Sequence, residues 1–129
     1  MSSVIHQEVR FQAAPERVYS ILTNSELFSQ ATGGAPTVIH AEEGGTFSCF
    51  GGMILGRNIE LVPNKRVVQA WRVANWDEGV YSIVRFELQA QGAETVLVFE
   101  HSSFPDGTGD HLAAGWHTNY WQPIAKLLA

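Results

Sequence analysis

Basic residues are scarce in this chain, and cysteine is nearly absent. Eight Lys and Arg stand against thirteen Asp and Glu, a formal net charge of -5 over 129 residues. Phosphate-rich partners need the opposite balance, so neither nucleic acid nor an anionic membrane surface is expected as a partner. Cys49 is the only cysteine, which excludes an internal disulfide framework and a cysteine-rich zinc site. It also has no local basic residue to lower its pKa. No apolar run approaches the length of a membrane span. The start, MSSVIHQEVRF, lacks the basic and apolar regions of a secretory signal. The expectation is one reduced, cytoplasmic domain over residues 1–129.

Two further absences concern chemistry. The glycine-rich run GGTFSCFGGMILG has neither the spacing of a phosphate loop nor the Gly-Lys-Ser/Thr and helix that follow one, so hairpin turn chemistry explains it. No H-E-x-x-H motif occurs, and His111 and His117, six apart, would sit about 120° apart on a helix. His6 and His40 fall in surface contexts. No metal site and no cofactor is expected. No Ser-His-Asp or Cys-His arrangement is legible, so no residue is assigned as catalytic.

What is present is a globular composition, 45% apolar and 16% charged, enough for one core with an internal cavity. The stretch Asp110 to Leu128 organises the rest. On a helical wheel Leu112, Trp116, Tyr120, Ile124, Leu127 and Leu128 fall within one half of the circumference, with Trp121 at its edge. That spacing predicts a long amphipathic helix laying an aromatic face on something apolar. Pro123 lacks the N–H that would bond the Asn119 carbonyl and is expected to bend the helix.

The remaining chain supplies the floor. Val4 to Phe11 alternates as a strand. Pro15 and Glu16 open a short helix carrying Val18, Ile21 and Leu22, and Asn24 or Ser25 caps a second through Leu27, Phe28 and Ala31. From Pro36 to about Ser103 the pattern is β: Thr37 to His40, Thr46 to Phe50, Met53 to Leu61, Arg66 to Val73, Tyr81 to Leu88 and Thr95 to His101. The Gly51-Gly52 turn sets Phe47 opposite Gly56, where a missing side chain leaves room for the ring. Between Met53 and Leu61, Asn58 and Glu60 share one face and Ile59 and Leu61 the other, so the buried face is ambiguous. For the last two strands the pairing Leu88–Thr95, Phe86–Leu97, Val84–Phe99 and Ser82–His101 puts a nearly continuous apolar face toward the core.

The residues resemble a known family. Pro15-Glu16-Arg17-Val18-Tyr19, Gly44-Gly45-Thr46-Phe47, Gly56 followed by Glu60-Leu61-Val62-Pro63, Trp71-Arg72, Gly79-Val80-Tyr81-Ser82, Thr95, His101 and Gly115-Trp116 follow one another in the order expected. Together they are similar to the AHSA-type branch, homologues of the activator of a heat-shock-protein ATPase, of the START-like SRPBCC superfamily. The resemblance covers essentially the whole chain. It implies an α+β helix-grip fold like that of the birch-pollen allergen: a curved antiparallel sheet of about six or seven strands around a long C-terminal helix, with two short helices after the first strand. It also implies a cavity between sheet and helix.

Three functions follow as expectations. The first is binding of a small apolar or aromatic ligand in that cavity, with a wall of Phe47, Ile54, Trp71, Ser82, Val84, Phe99, His101, Trp116 and Tyr120. Apolar groups there supply burial, and Ser82, His101 and Tyr120 supply orienting hydrogen bonds. The second is an enzyme of cyclase, dehydratase or hydrolase type with His101 and Tyr120 as acid and base. The third is a co-chaperone-like interaction module with an exposed apolar patch. Whether the aromatic residues are core or cavity wall, and whether His101 is a satisfied core histidine or a working one, stays open at this point. A homodimer through the outer sheet face (Tyr81, Ile83, Val96 and Val98) stays open too, and Arg72–Glu60 and Arg85–Glu100 are candidate ion pairs.

Overall fold

The computed structural model describes residues 4–129. Strand β1 (Ile5–Phe11) is followed by helices α1 (Pro15–Thr23) and α2 (Ser25–Ala31), then by β2 (Val38–Ile39), β3 (Thr46–Cys49), β4 (Ile54–Val62), β5 (Arg66–Val73), β6 (Ser82–Gln91) and β7 (Glu94–Ser102). The C-terminal helix runs as α3 (Gly109–Trp116), a π turn (His117–Trp121) and α4 (Gln122–Leu128). All seven strands form one antiparallel sheet in the order β1-β7-β6-β5-β4-β3-β2. Local signals act as expected at the helices: Pro15 opens α1, and the Asn24 side chain accepts from the Leu27 N–H to cap α2.

The β6–β7 register differs by two residues from the expected one. Val84 pairs with His101, Phe86 with Phe99, Leu88 with Leu97 and Ala90 with Thr95. The two loop residues are Gly92 and Ala93, and Gly92 takes φ 61°, the positive value a tight hairpin turn needs at its first central position. A shift of two keeps every side chain on its expected face, so the core face of Ser82, Val84, Phe86, Leu97, Phe99 and His101 stands.

The ambiguous face of β4 is resolved by a β-bulge between Asn58 and Glu60. Gly56 and Asn58 face inward before it, Ile59 is thrown out to solvent, and Leu61 opposite the buried Val67 faces inward after it. The extra residue reverses the alternation in mid-strand, which no period-2 reading follows. It also turns Glu60 outward, where Arg66 takes it at 2.7 Å in place of the candidate partner Arg72. Arg85 lies opposite Glu100 but bonds Glu87 at 2.6 Å instead. Solvent screens these half-exposed pairs, and they add little to stability.

Pro123 is met by the π turn just before it. The Gln122 N–H donates to the His117 carbonyl, five residues back, where the ring of the following proline excludes an ordinary helical repeat. The wider turn brings Trp121, expected at the edge of the apolar arc, fully inside at 3% exposure alongside Trp116 and Tyr120. Its indole donates to the Gln7 side chain at 2.7 Å, and Gln7 donates to the Ala113 carbonyl at 3.1 Å, tying β1 to the helix.

Phe47 and Gly56 face one another as expected. A Cβ at Gly56 would collide with the Ala70 carbonyl oxygen and the Phe47 ring. The Gly56→Ala variant is therefore expected to lose roughly 1–3 kcal/mol to overpacking, read as a lower urea midpoint at unchanged slope.

Candidate functional site

Sheet and helix do not meet evenly along the seam. Over β6 and β7 they close completely: Phe99 lies 4.3 Å from Trp116 and 5.1 Å from Trp121, ring centre to ring centre, and Phe86 packs beside them. Toward β4 and β5 the two separate, leaving a cleft of about 500 Å³. Ile54, Trp71 and Val73 line it from the strands, Phe50 and Met53 from the turn after β3, and Asn75 and Trp76 from the loop after β5. Leu112, Trp116 and Tyr120 line it from the helix, with Thr108, His111, Gly115 and Asn119 at its edge.

Of the nine residues expected in the wall, Ile54, Trp71, Trp116 and Tyr120 reach this cleft. Ser82, Val84, Phe99 and His101 do not; they are fully buried in the closed part of the seam, because the rings of Trp116 and Trp121 fill the space above them. Phe47 is buried over Gly56, away from the cleft. Phe50, Met53 and Asn75, which sequence reading passed over, come from turns, as does Trp76, one of the aromatic residues left open between core and cavity wall. Trp76 within Asn75-Trp76-Asp77-Glu78-Gly79 was the available signal, a large ring in a segment otherwise all turn formers.

Below the cleft lies a buried hydrogen-bonded chain. The Trp116 indole N–H donates to His101 Nδ1 at 3.0 Å. That fixes the tautomer, so the N–H of His101 Nε2 donates to Ser82 Oγ at 2.8 Å. The Ser82 hydroxyl in turn donates to the Trp71 carbonyl at 2.7 Å. Both ring nitrogens of His101 are thus occupied, and burial lowers its pKa from 6.5 to about 4. It is a neutral core histidine at physiological pH.

Tyr120 makes a different contact, accepting from the Trp71 indole N–H at 3.3 Å. Burial, the largest cause, and nearby Cys49 hold its hydroxyl well above the usual phenol pKa, with the Trp71 bond opposing. Cys49 is itself pushed up to about 12 by burial, leaving an inert thiol. His101 and Tyr120 thus hydrogen-bond different partners, and both His101 ring nitrogens are already engaged. Among the described residues no cluster of His, Cys, Asp and Glu is placed to hold a metal.

Seven antiparallel strands curved around a C-terminal helix, two short helices after the first strand and a cleft in the seam define a helix-grip domain of the START-like kind. Comparison with known proteins narrows the class. The family described as "Activator of Hsp90 ATPase homolog 1-like protein" matches residues 12–129. The chain is 32% identical over 116 residues to human "Activator of 90 kDa heat shock protein ATPase homolog 1", covering 90% of this chain and 34% of that protein. It is 32% identical over 124 residues to the mouse homolog 2, covering 96% and 37%. Its structure superposes on that of an HSP90 activator from Plasmodium falciparum with a TM-score of 0.89 and 26% identity, over 99% of this chain and 96% of the other. An Aha1 dimer from Colwellia psychrerythraea shares the fold at a TM-score of 0.81 and 21% identity, over 98% and 96%. The chain belongs to the Activator of Hsp90 ATPase homolog 1-like family. It spans about a third of the length of the curated relatives it matches.

The histidine yields a pH prediction. A folded-state pKa near 4 against 6.5 unfolded means the unfolded chain binds the proton more readily. The stability from neutral His101 is present above about pH 6.5 and lost as pH falls through about 4, on the order of 3 kcal/mol in all. Urea midpoints between pH 7.5 and 4 are expected to fall steeply for the wild type and more shallowly for His101→Gln.

Proposed function

We propose that this chain is a co-chaperone-like interaction module that engages an ATPase of the Hsp90 class and raises its turnover. The observation that carries this reading is the similarity, over nearly the whole chain, to proteins described as activators of that ATPase. The outer sheet face supplies a fitting surface. Val38 at 54% exposure, Tyr81 at 49% and Ile83 at 38% lie on it with Leu55, and the Arg72 guanidinium sits 5.7 Å from the centre of the Tyr81 ring. Exposed apolar groups beside an aromatic ring and an arginine are what interfaces enrich. Adding the domain to a purified Hsp90-class ATPase should raise ATP hydrolysis, and Val38→Asp/Tyr81→Asp should lose most of that gain with its circular dichroism unchanged. An unchanged hydrolysis rate with the wild-type domain would sink the reading. Sedimentation of the domain alone distinguishes a homodimer formed through the same face.

A second reading rests on the cleft, whose volume and predominantly apolar, aromatic lining suit a small molecule. Neutral aromatic compounds are expected to raise the melting temperature, a ligand at 100 times its Kd adding about 2.7 kcal/mol. A panel of such compounds with no shift in any member removes this reading and leaves the first intact.

A further inference from the structure

We propose that the cleft is shaped for a flat, uncharged aromatic ring system, and that Gly115 sets how much of it fits. This rests on the cleft reading above and specifies the ligand.

Gly115 lies inside α3, where glycine is disfavoured more than any residue but proline. Glycines elsewhere in the chain have visible reasons. Gly56 leaves room for the Ala70 carbonyl and the Phe47 ring, and at Gly109 an added Cβ would stand 3.1 Å from the Phe104 ring. At Gly115 a Cβ would meet only the Asn119 side-chain nitrogen, at 3.7 Å, an ordinary contact. Its φ is not in the left-handed region that favours glycine. Neither packing nor backbone conformation requires glycine there. What a side chain would enter is the cleft, since Gly115 is part of its lining.

The next turn departs from regular helix on the same side. The π turn His117–Trp121 carries Asn119 and Tyr120, both lining the cleft. Pro123 accounts for the turn, and its effect here is to place a tyrosine ring 4.2 Å from Trp116, which Trp71 approaches at 5.2 Å. These three nearly buried rings form the apolar floor of the cleft and present only their edges to a planar ligand, beside the more open Phe50, Met53 and Trp76.

Charge is excluded by the lining. None of its residues is Asp, Glu, Lys or Arg. An ionised group carried into the cleft would leave water with no carboxylate, ammonium or guanidinium to face it, which is unfavourable. The polar groups at hand are the amides of Asn75 and Asn119, one on the strand side and one on the helix side, and His111. The Thr108 hydroxyl is already committed to the Pro105 carbonyl at 2.6 Å. Two amides, each both donor and acceptor, suit polar substituents on the rim of a ring system whose body is apolar.

The test uses two fluorescent probes of similar ring size, neutral N-phenyl-1-naphthylamine and anionic 8-anilinonaphthalene-1-sulfonate. With the wild-type domain the neutral probe should bind at least about tenfold more tightly. Gly115→Ala should raise Tm by about 4 °C and keep most of the binding, since alanine is the better helix former. Gly115→Leu should keep the wild-type Tm or better and weaken the neutral probe about tenfold or more. Equal binding by Gly115→Leu, equal affinity for the sulfonate, or a lower Tm for Gly115→Ala overturns the inference while the cleft reading survives. Failure of the wild type to bind either probe removes the cleft reading, and the inference with it.

Discussion

The hydrogen-bonded chain from Trp116 through His101 and Ser82 to the Trp71 carbonyl is the constraint on which the rest of the structure depends. It joins the C-terminal helix to β7, β7 to β6, and β6 to β5 entirely within the core. Each polar atom is satisfied by the next, so the chain is stable only when helix and three strands occupy one relative position. A protonated histidine would not serve, because a charged ring cannot accept from the Trp116 indole. Burial keeps it neutral, and neutrality keeps the chain intact.

Fixing the helix at that point decides where the seam closes and where it opens. Trp116 lies over His101 and Phe99, and the π turn folds Trp121 in behind it, so the β6–β7 half is filled. Tyr120, the other large ring of that turn, points toward β5 and accepts from Trp71, forming the inner wall of the space that remains. Cleft and core thus share Trp71, Trp116 and Tyr120. Residues on one side of these rings pack; those on the other side face an opening. The interaction surface proposed for the chaperone lies on the opposite face of the sheet, so the two readings draw on separate residues and one domain can carry both.

Much of this architecture was legible in the residues. The order of elements, the α1 and α2 boundaries, the Phe47–Gly56 pairing and the core face of β6 and β7 follow from capping, turn and alternation rules that act over a few neighbours. Membership of the family was legible in the order of its motifs. The site was less so. Alternation places Ser82, Val84, Phe99 and His101 on the inner face without distinguishing a filled interior from a cavity wall, and the rings that fill it come from a helix some fifteen residues further on.

The sequence by itself determined the local conformations, the inward faces and the class of fold, because these depend on periodicity and on the chemistry of adjacent residues. Only the tertiary structure decided the two-residue shift between β6 and β7, the bulge at Ile59 that reverses β4, the π turn before Pro123 and the position of the cleft. The shift by two leaves the strand period unchanged, and the bulge and the π turn each insert one residue at a place the period does not mark. A helical or strand period cannot register such a change, yet packing at crystalline density leaves only one of the alternatives room.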